Sequence, residues 1–95
     1  MNSNLNYVIR FRSGKYYRSN QQYPSVDYRD VHSLDEATRM PEGDLFYLVA
    51  EGVCDDATIL TYLGNTCISY IPASLILDAL KELDWTTQRY VRLLR

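Results

Sequence analysis

With 95 residues, 46% apolar side chains and a net charge of −2, the chain has the size and composition of one folded domain with a single modest core. That excludes extensive disorder and a multidomain enzyme. The small net charge is the sum of three unlike stretches. Residues 1–29 hold Arg10, Arg12, Lys15, Arg18 and Arg29 against Asp27, for +4; residues 30–84 hold eleven acids against Arg39 and Lys81, for −9; residues 85–95 hold Arg89, Arg92 and Arg95 with no acid, for +3. Sorting of this kind bears on partners and fields rather than on fold.

In chain order, Met1–Asn6 is polar and reads as a frayed start. Tyr7, Ile9 and Phe11 alternate with Val8, Arg10 and Arg12, the period of a strand with one face buried. Ser13-Gly14 precedes the strand-like Lys15–Arg18, so the two runs form a hairpin. Ser19–Val26, with Pro24, is a loop. Ser33-Leu34-Asp35-Glu36 fits a capping box, predicting a short helix that stops before Pro41. Leu45–Ala50 is a short apolar run expected to form a buried strand, and Glu51–Asp56 an acidic connection. Thr58–Leu63, Gly64-Asn65 and Thr66–Ile71 form a second hairpin, because both arms are rich in β-branched and aromatic residues. A helix over Ala57–Leu63 with Gly64-Asn65 as its cap is the rival reading. Pro72 opens a helix whose stripe is Ile76, Ala79, Leu80 and Leu83. Thr87, Tyr90, Val91 and Leu94 extend that stripe, so residues 86–95 read as further helix or as a strand. The expected fold is α+β: an antiparallel sheet of about five strands, two hairpins plus a central strand, with two helices packed on one face.

The chain lacks a basic segment followed by an apolar run at its start, and its apolar stretches (Leu45–Ala50, Leu75–Leu77) fall far below the ~20 residues of a membrane helix. A soluble cytoplasmic protein is expected. Cys54 and Cys67 are too few for a disulfide framework and read as free thiols, a bridge between them requiring neighbouring strands.

The catalytic inventory is thin. His32, the only histidine, precedes the helix cap and reads as a solvent-facing residue. The spacing of His32, Cys54 and Cys67 lacks the tight pairs of a zinc site. Asp55 and Asp56 would raise the thiol pKa of Cys54, the wrong direction for a nucleophile, and Cys67 reads as a small buried hydrophobe. Glu51, Asp55 and Asp56 miss calcium-loop spacing and read as a solvated acidic surface. The four glycines are scattered singly and make no phosphate loop. No cofactor or metal is expected, and no catalytic residue.

Binding is better represented. Arg10, Arg12, Lys15, Tyr16, Tyr17 and Arg18 make a basic, tyrosine-rich hairpin. Arginine and tyrosine are enriched anchors of protein interfaces; the same pair suits phosphates and unstacked bases. The acidic loop residues Glu51, Asp55 and Asp56 offer a second surface, able to imitate nucleic-acid charge. Patches of both signs also permit self-association, so the chain reads as a monomer or a homodimer.

The run Tyr7–Tyr17 (YVIRFRSGKYY) followed by Ser33–Met40 (SLDEATRM) resembles small accessory proteins of bacteriophages and mobile elements, in which a Y-x-I-R-F…G-K-Y-Y hairpin precedes a short L-x-x-A-x-x-F/M helix. The resemblance covers about the first 40 residues and carries over no site residue. It implies a non-enzymatic protein acting in a bacterial host cell, of the kind from which inhibitors of host defence, anti-CRISPR proteins among them, are recruited. The expected function is therefore docking on a larger protein, such as a nucleic-acid-handling or defence complex, to inhibit or modulate it. The alternative is a single-stranded nucleic-acid-binding module using the basic hairpin.

Overall fold

The opening alternation becomes β1 (Leu5–Arg10), and the rest of the sheet assembles on its two sides. The computed structural model describes residues 5–82. The elements that follow are β2 (Tyr16–Ser19), β3 (Tyr28–Val31), a 3-10 turn over Leu34–Glu36, α1 (Glu42–Ala50), β4 (Thr58–Leu63), β5 (Thr66–Pro72) and α2 (Ala73–Glu82). The five strands lie in the order β3-β2-β1-β4-β5, every neighbour antiparallel. Both helices pack on one face: Ile9, Tyr17 and Ile59 share a core with Leu45, Leu48 and Val49 of α1 and with Ala73 and Leu80 of α2. The fold is α+β, as the alternations and hairpins imply.

Two hairpins form as expected. The β4–β5 turn carries Gly64 at φ +61, while Asn65 is not in the positive-φ region; that is a II′ pattern, with glycine at the position demanding it. Pro72 falls at the end of β5 rather than inside α2. Ala73 N–H donates to the Ala57 carbonyl at 2.9 Å, extending the β4–β5 ladder by one bond. Bonded pairs alternate along an antiparallel ladder, so the absent Pro72 N–H would have pointed outward from the sheet edge, where no bond is lost.

Four further readings change. Leu45–Ala50 is not a strand but most of α1, whose buried residues Leu45, Leu48 and Val49 recur at steps of three and one. Pro41 caps the helix start and Glu42 and Asp44 occupy its first turn, where the helix dipole favours acids. The helix expected over residues 33–40 is only the Leu34–Glu36 turn. Ser33 Oγ accepts from Asp35 N–H, and Ala37 is already extended. The following residues are drawn into the sheet instead. Thr38 N–H donates to the Tyr17 carbonyl, and Met40 and Tyr7 exchange both backbone bonds. β1 and β2 pair only at Arg10 and Tyr16, and this segment fills the gap between them as they diverge. The fifth strand is therefore β3, in a stretch lacking alternation. Leu5 and Asn6 belong to β1 rather than to a frayed end. The stripe residues Leu83, Thr87, Tyr90, Val91 and Leu94, the choice between helix and strand over 86–95, and the basic end lie outside the described residues.

Candidate interaction surface

Sheet register sorts the basic residues. On the face away from the helices, Arg10 of β1 is paired with Tyr16 of β2, and Arg18 of β2 with Arg29 of β3. Continuing across the sheet, the same face carries Asn6 and the buried Val8, then Thr58, Leu60 and the buried Tyr62, then the exposed Cys67 and Tyr70, so its open parts are the arginine end and the β5 edge. None of these strand positions is a carboxylate. The one strand acid, Asp30, pairs with the buried Tyr17 and so belongs to the helix side, where it lies 4.0 Å from Lys15 Nζ. The helix layer holds Glu42 and Asp44 at the start of α1, Glu51, Asp55 and Asp56 after it, and Asp78 and Glu82 in α2. Sorting of charge along the chain thus becomes sorting across the sheet, with Asp35 and Glu36 of the 3-10 turn at the margin of the arginine side.

Two of these arginines are held by neutral acceptors. Arg18 Nη1 donates to the Glu36 carbonyl at 2.8 Å, and Arg29 Nη1 to Asn20 Oδ1 at 2.6 Å. Their charge is oriented but not neutralised. Like charges directly opposite on neighbouring strands cost stability, against which each arginine sets only its one bond to a neutral acceptor.

Of the hairpin residues singled out from sequence, Arg10, Arg12 and Arg18 are exposed and Tyr16 is half-buried beside Arg10. Two do not belong to the surface. Tyr17 is fully buried, because it falls on the helix side of β2 and supplies a core ring; burial also raises its phenol pKa. Lys15 turns toward Asp30 rather than toward Arg10 and Arg18. Arg29, counted with the basic start but not among those six, joins the surface, and Arg39 was missed. The register of β3 adds Arg29, and Arg39 lies across Tyr62, 4.3 Å from its ring centre. The alternation that placed Arg10 could not place either, since their partners are distant in sequence.

The acidic residues gather only in part. Asp55 and Asp56 line a pocket of about 300 Å³ with Val49, Cys54, Ala73, Ser74 and Leu77, while Glu51 is exposed outside it. Cys54 is 2% exposed, and burial first, then Asp55, pushes its thiol up to about 12. It stays protonated and unreactive. Cys67, expected to be buried, is exposed because β5 is an edge strand; both thiols are free. His32 is exposed and is not part of the Cys54 pocket. Among the described residues no group of three His, Cys, Asp or Glu side chains can hold a metal, and no helix is long and apolar enough to cross a membrane. Compared with known protein families, curated proteins and solved structures, the chain matches none.

Proposed function

We propose that the chain is a non-catalytic binding protein that docks the arginine-bearing face of its sheet on an acidic surface of a larger protein. The opening resemblance to phage and mobile-element accessory proteins makes a nucleic-acid-handling or defence complex the expected target, and inhibition or modulation the expected result. One observation carries the reading: Arg18 and Arg29 stand directly opposite on a face whose strand positions hold no carboxylate. An arrangement that costs folding stability and is offset internally only by one neutral hydrogen bond per arginine is explained by an external anion.

Direct binding of single-stranded nucleic acid is the second reading, favoured by the exposure of Tyr70 (74%) on the same face. It has fewer aromatic rings to work with than the sequence suggests. Tyr17 is buried, Tyr28 stacks against Tyr17 and Phe11 on the helix side, and Tyr62 lies under Arg39.

Capture from bacterial lysate on the tagged chain, with and without nuclease, separates the two. A stoichiometric protein retained after nuclease and released by rising salt supports docking. Nucleic acid alone, lost on nuclease treatment, supports the second reading and contradicts the first.

A further inference from the structure

Arg29 has an acid close by that it does not pair with. Asn20 N–H donates to the Asp27 carbonyl at 2.9 Å, which carries the β2–β3 ladder one step past Ser19 and Tyr28. Alternation then puts Asn20 and Asp27 on the same side as Arg18 and Arg29. Two residues of extended chain separate the Cα atoms of Asp27 and Arg29 by about 6.6 Å, well within an arginine's length. Among the described residues, however, the one ion pair is that of Lys15 with Asp30.

A single side-chain amide stands between the two charges. Asn20 Nδ2 donates to Asp27 Oδ1 at 2.8 Å, and Asn20 Oδ1 accepts from Arg29 Nη1 at 2.6 Å. An ionised carboxylate only accepts, so Asp27 fixes the amide with its nitrogen inward and its oxygen toward Arg29. Gln21 Nε2 donates to the other carboxylate oxygen, Oδ2, at 2.8 Å. Both oxygens are thus taken by neutral donors, and Asn20 first, then Gln21, holds the carboxyl below its usual range. Among the described residues the Arg29 side chain makes no further bond. Its Nε and Nη2 stay open, the edge that grips a carboxylate through two parallel bonds.

Resting on the docking reading of the arginine face, we propose that Asn20 is the positioning residue of that face, a neutral spacer that holds Arg29 in place and keeps it from Asp27. An exposed ion pair adds little to stability, so keeping the two apart costs the fold little. Direct pairing would instead cancel the Arg29 charge and occupy the edge a partner's carboxylate needs. Without the amide, Arg29 closes onto Asp27 and the face loses one of its cations.

Titration of the Asp27 carboxyl by NMR in the full chain tests the spacer without any ligand. Asn20→Ala keeps the backbone bond to Asp27 and should leave circular dichroism unchanged. With Asn20 present, adding Arg29→Ala should leave the Asp27 pKa nearly in place; in the Asn20→Ala chain it should raise it. Equal shifts in the two backgrounds overturn the proposal. Anisotropy of a fluorescein-labelled hexaglutamate peptide reads the consequence for docking. Asn20→Ala should weaken this binding about threefold, the share of one exposed charge contact. Asp27→Ala should change it little alone and regain the loss in the Asn20→Ala chain. Unweakened binding by Asn20→Ala, or a loss that Asp27→Ala does not regain, overturns the positioning role. A wild type that ignores hexaglutamate while the titration behaves as expected contradicts the docking reading, and the positioning role falls with it.

Discussion

Arg39 joins the segment inserted beside β1 to the far side of that strand: its guanidinium lies 4.3 Å from the centre of the Tyr62 ring on β4. The same Nη1 donates to Asn6 Oδ1 at 3.1 Å and to the Gly64 carbonyl at 3.0 Å. One side chain thus ties together the inserted segment, β1 and the β4–β5 turn. We predict that Arg39→Ala costs about 1–2 kcal/mol, the sum of a cation–π contact and hydrogen bonds made by a charged group at an exposed site. Urea unfolding would measure it. A loss no larger than that of a surface Lys81→Ala control would contradict the clamp.

Arg18 and Arg29 lead to a prediction with two signs. Arg29→Glu replaces a like-charge cross-strand pair with an opposite-charge one, a gain of about 0.2–1 kcal/mol set against the lost bond to Asn20 Oδ1, so the variant should be no less stable than the wild type while binding its partner more weakly. Thermal unfolding and capture measured on the same preparation check both halves. A destabilised variant would show that Arg29 is held for folding.

The β2–β3 loop rests on the Tyr17 hydroxyl, which donates to the Ser25 carbonyl and accepts from Ser25 N–H, and on Ser19 Oγ, which donates to the Tyr23 carbonyl. Asp27 adds bonds from Asn20 and Gln21, and these hold its carboxyl below the usual range. Tyr17→Phe should cost about 1–3 kcal/mol, because Ser25 N–H loses its partner, and amide exchange should quicken over Asn20–Asp27 but not in β4. The folded Asp27 releases its proton more readily than the unfolded chain does. Its contribution is therefore present above the ordinary aspartate pKa and is lost as pH falls through and below it. Uniform exchange across the sheet in Tyr17→Phe would show that the hydroxyl does not anchor the loop.

Cys54 and Cys67 should differ sharply as thiols. At neutral pH in the native state one equivalent of an alkylating reagent is expected to react, at Cys67, with the second taken up only on unfolding. Since the Cys54 thiol is pushed to about 12 from an ordinary 9.0, the folded protein keeps a proton that the unfolded chain surrenders between those values. Stability from this group is complete below pH 9 and declines toward pH 12, by up to about 1.4 kcal/mol per pH unit. Tyr7, Tyr17 and Tyr62, all raised by burial, steepen the decline above 10. Cys54→Ala should flatten the lower part of it. An unchanged slope would mean that Cys54 is not held neutral.

Local chemistry was legible where it was also sufficient. The strand itself was legible in the run through Tyr7, Ile9 and Arg10, although Val8, on the face away from the helices, is as buried as Ile9 and the expected single buried face does not hold there; Gly64-Asn65 dictates its own turn. Leu45–Ala50 misled because six consecutive apolar residues carry no period; Pro41, Glu42 and Asp44 ahead of them were the available sign of a helix start. The Ser33 cap was real, yet bonds from Tyr7 and Tyr17 to Met40 and Thr38 outweighed further helix, and those pairings are long-range. For the surface, charge order along the chain identified Arg10 and Arg18. Charge order also counted Arg29, but its place opposite Arg18 needed the β2–β3 register, and the burial of Tyr17 followed from one residue's shift in strand phase.

The central claim is that binding uses the arginine face. It is tested most directly by comparing the wild type with two triple variants for capture of the same nuclease-resistant partner. Arg10→Glu/Arg18→Glu/Arg29→Glu should lose the partner, and Glu51→Lys/Asp55→Lys/Asp56→Lys should keep it. Retention by the first variant and loss by the second would contradict the account and move the interface to the acidic loop.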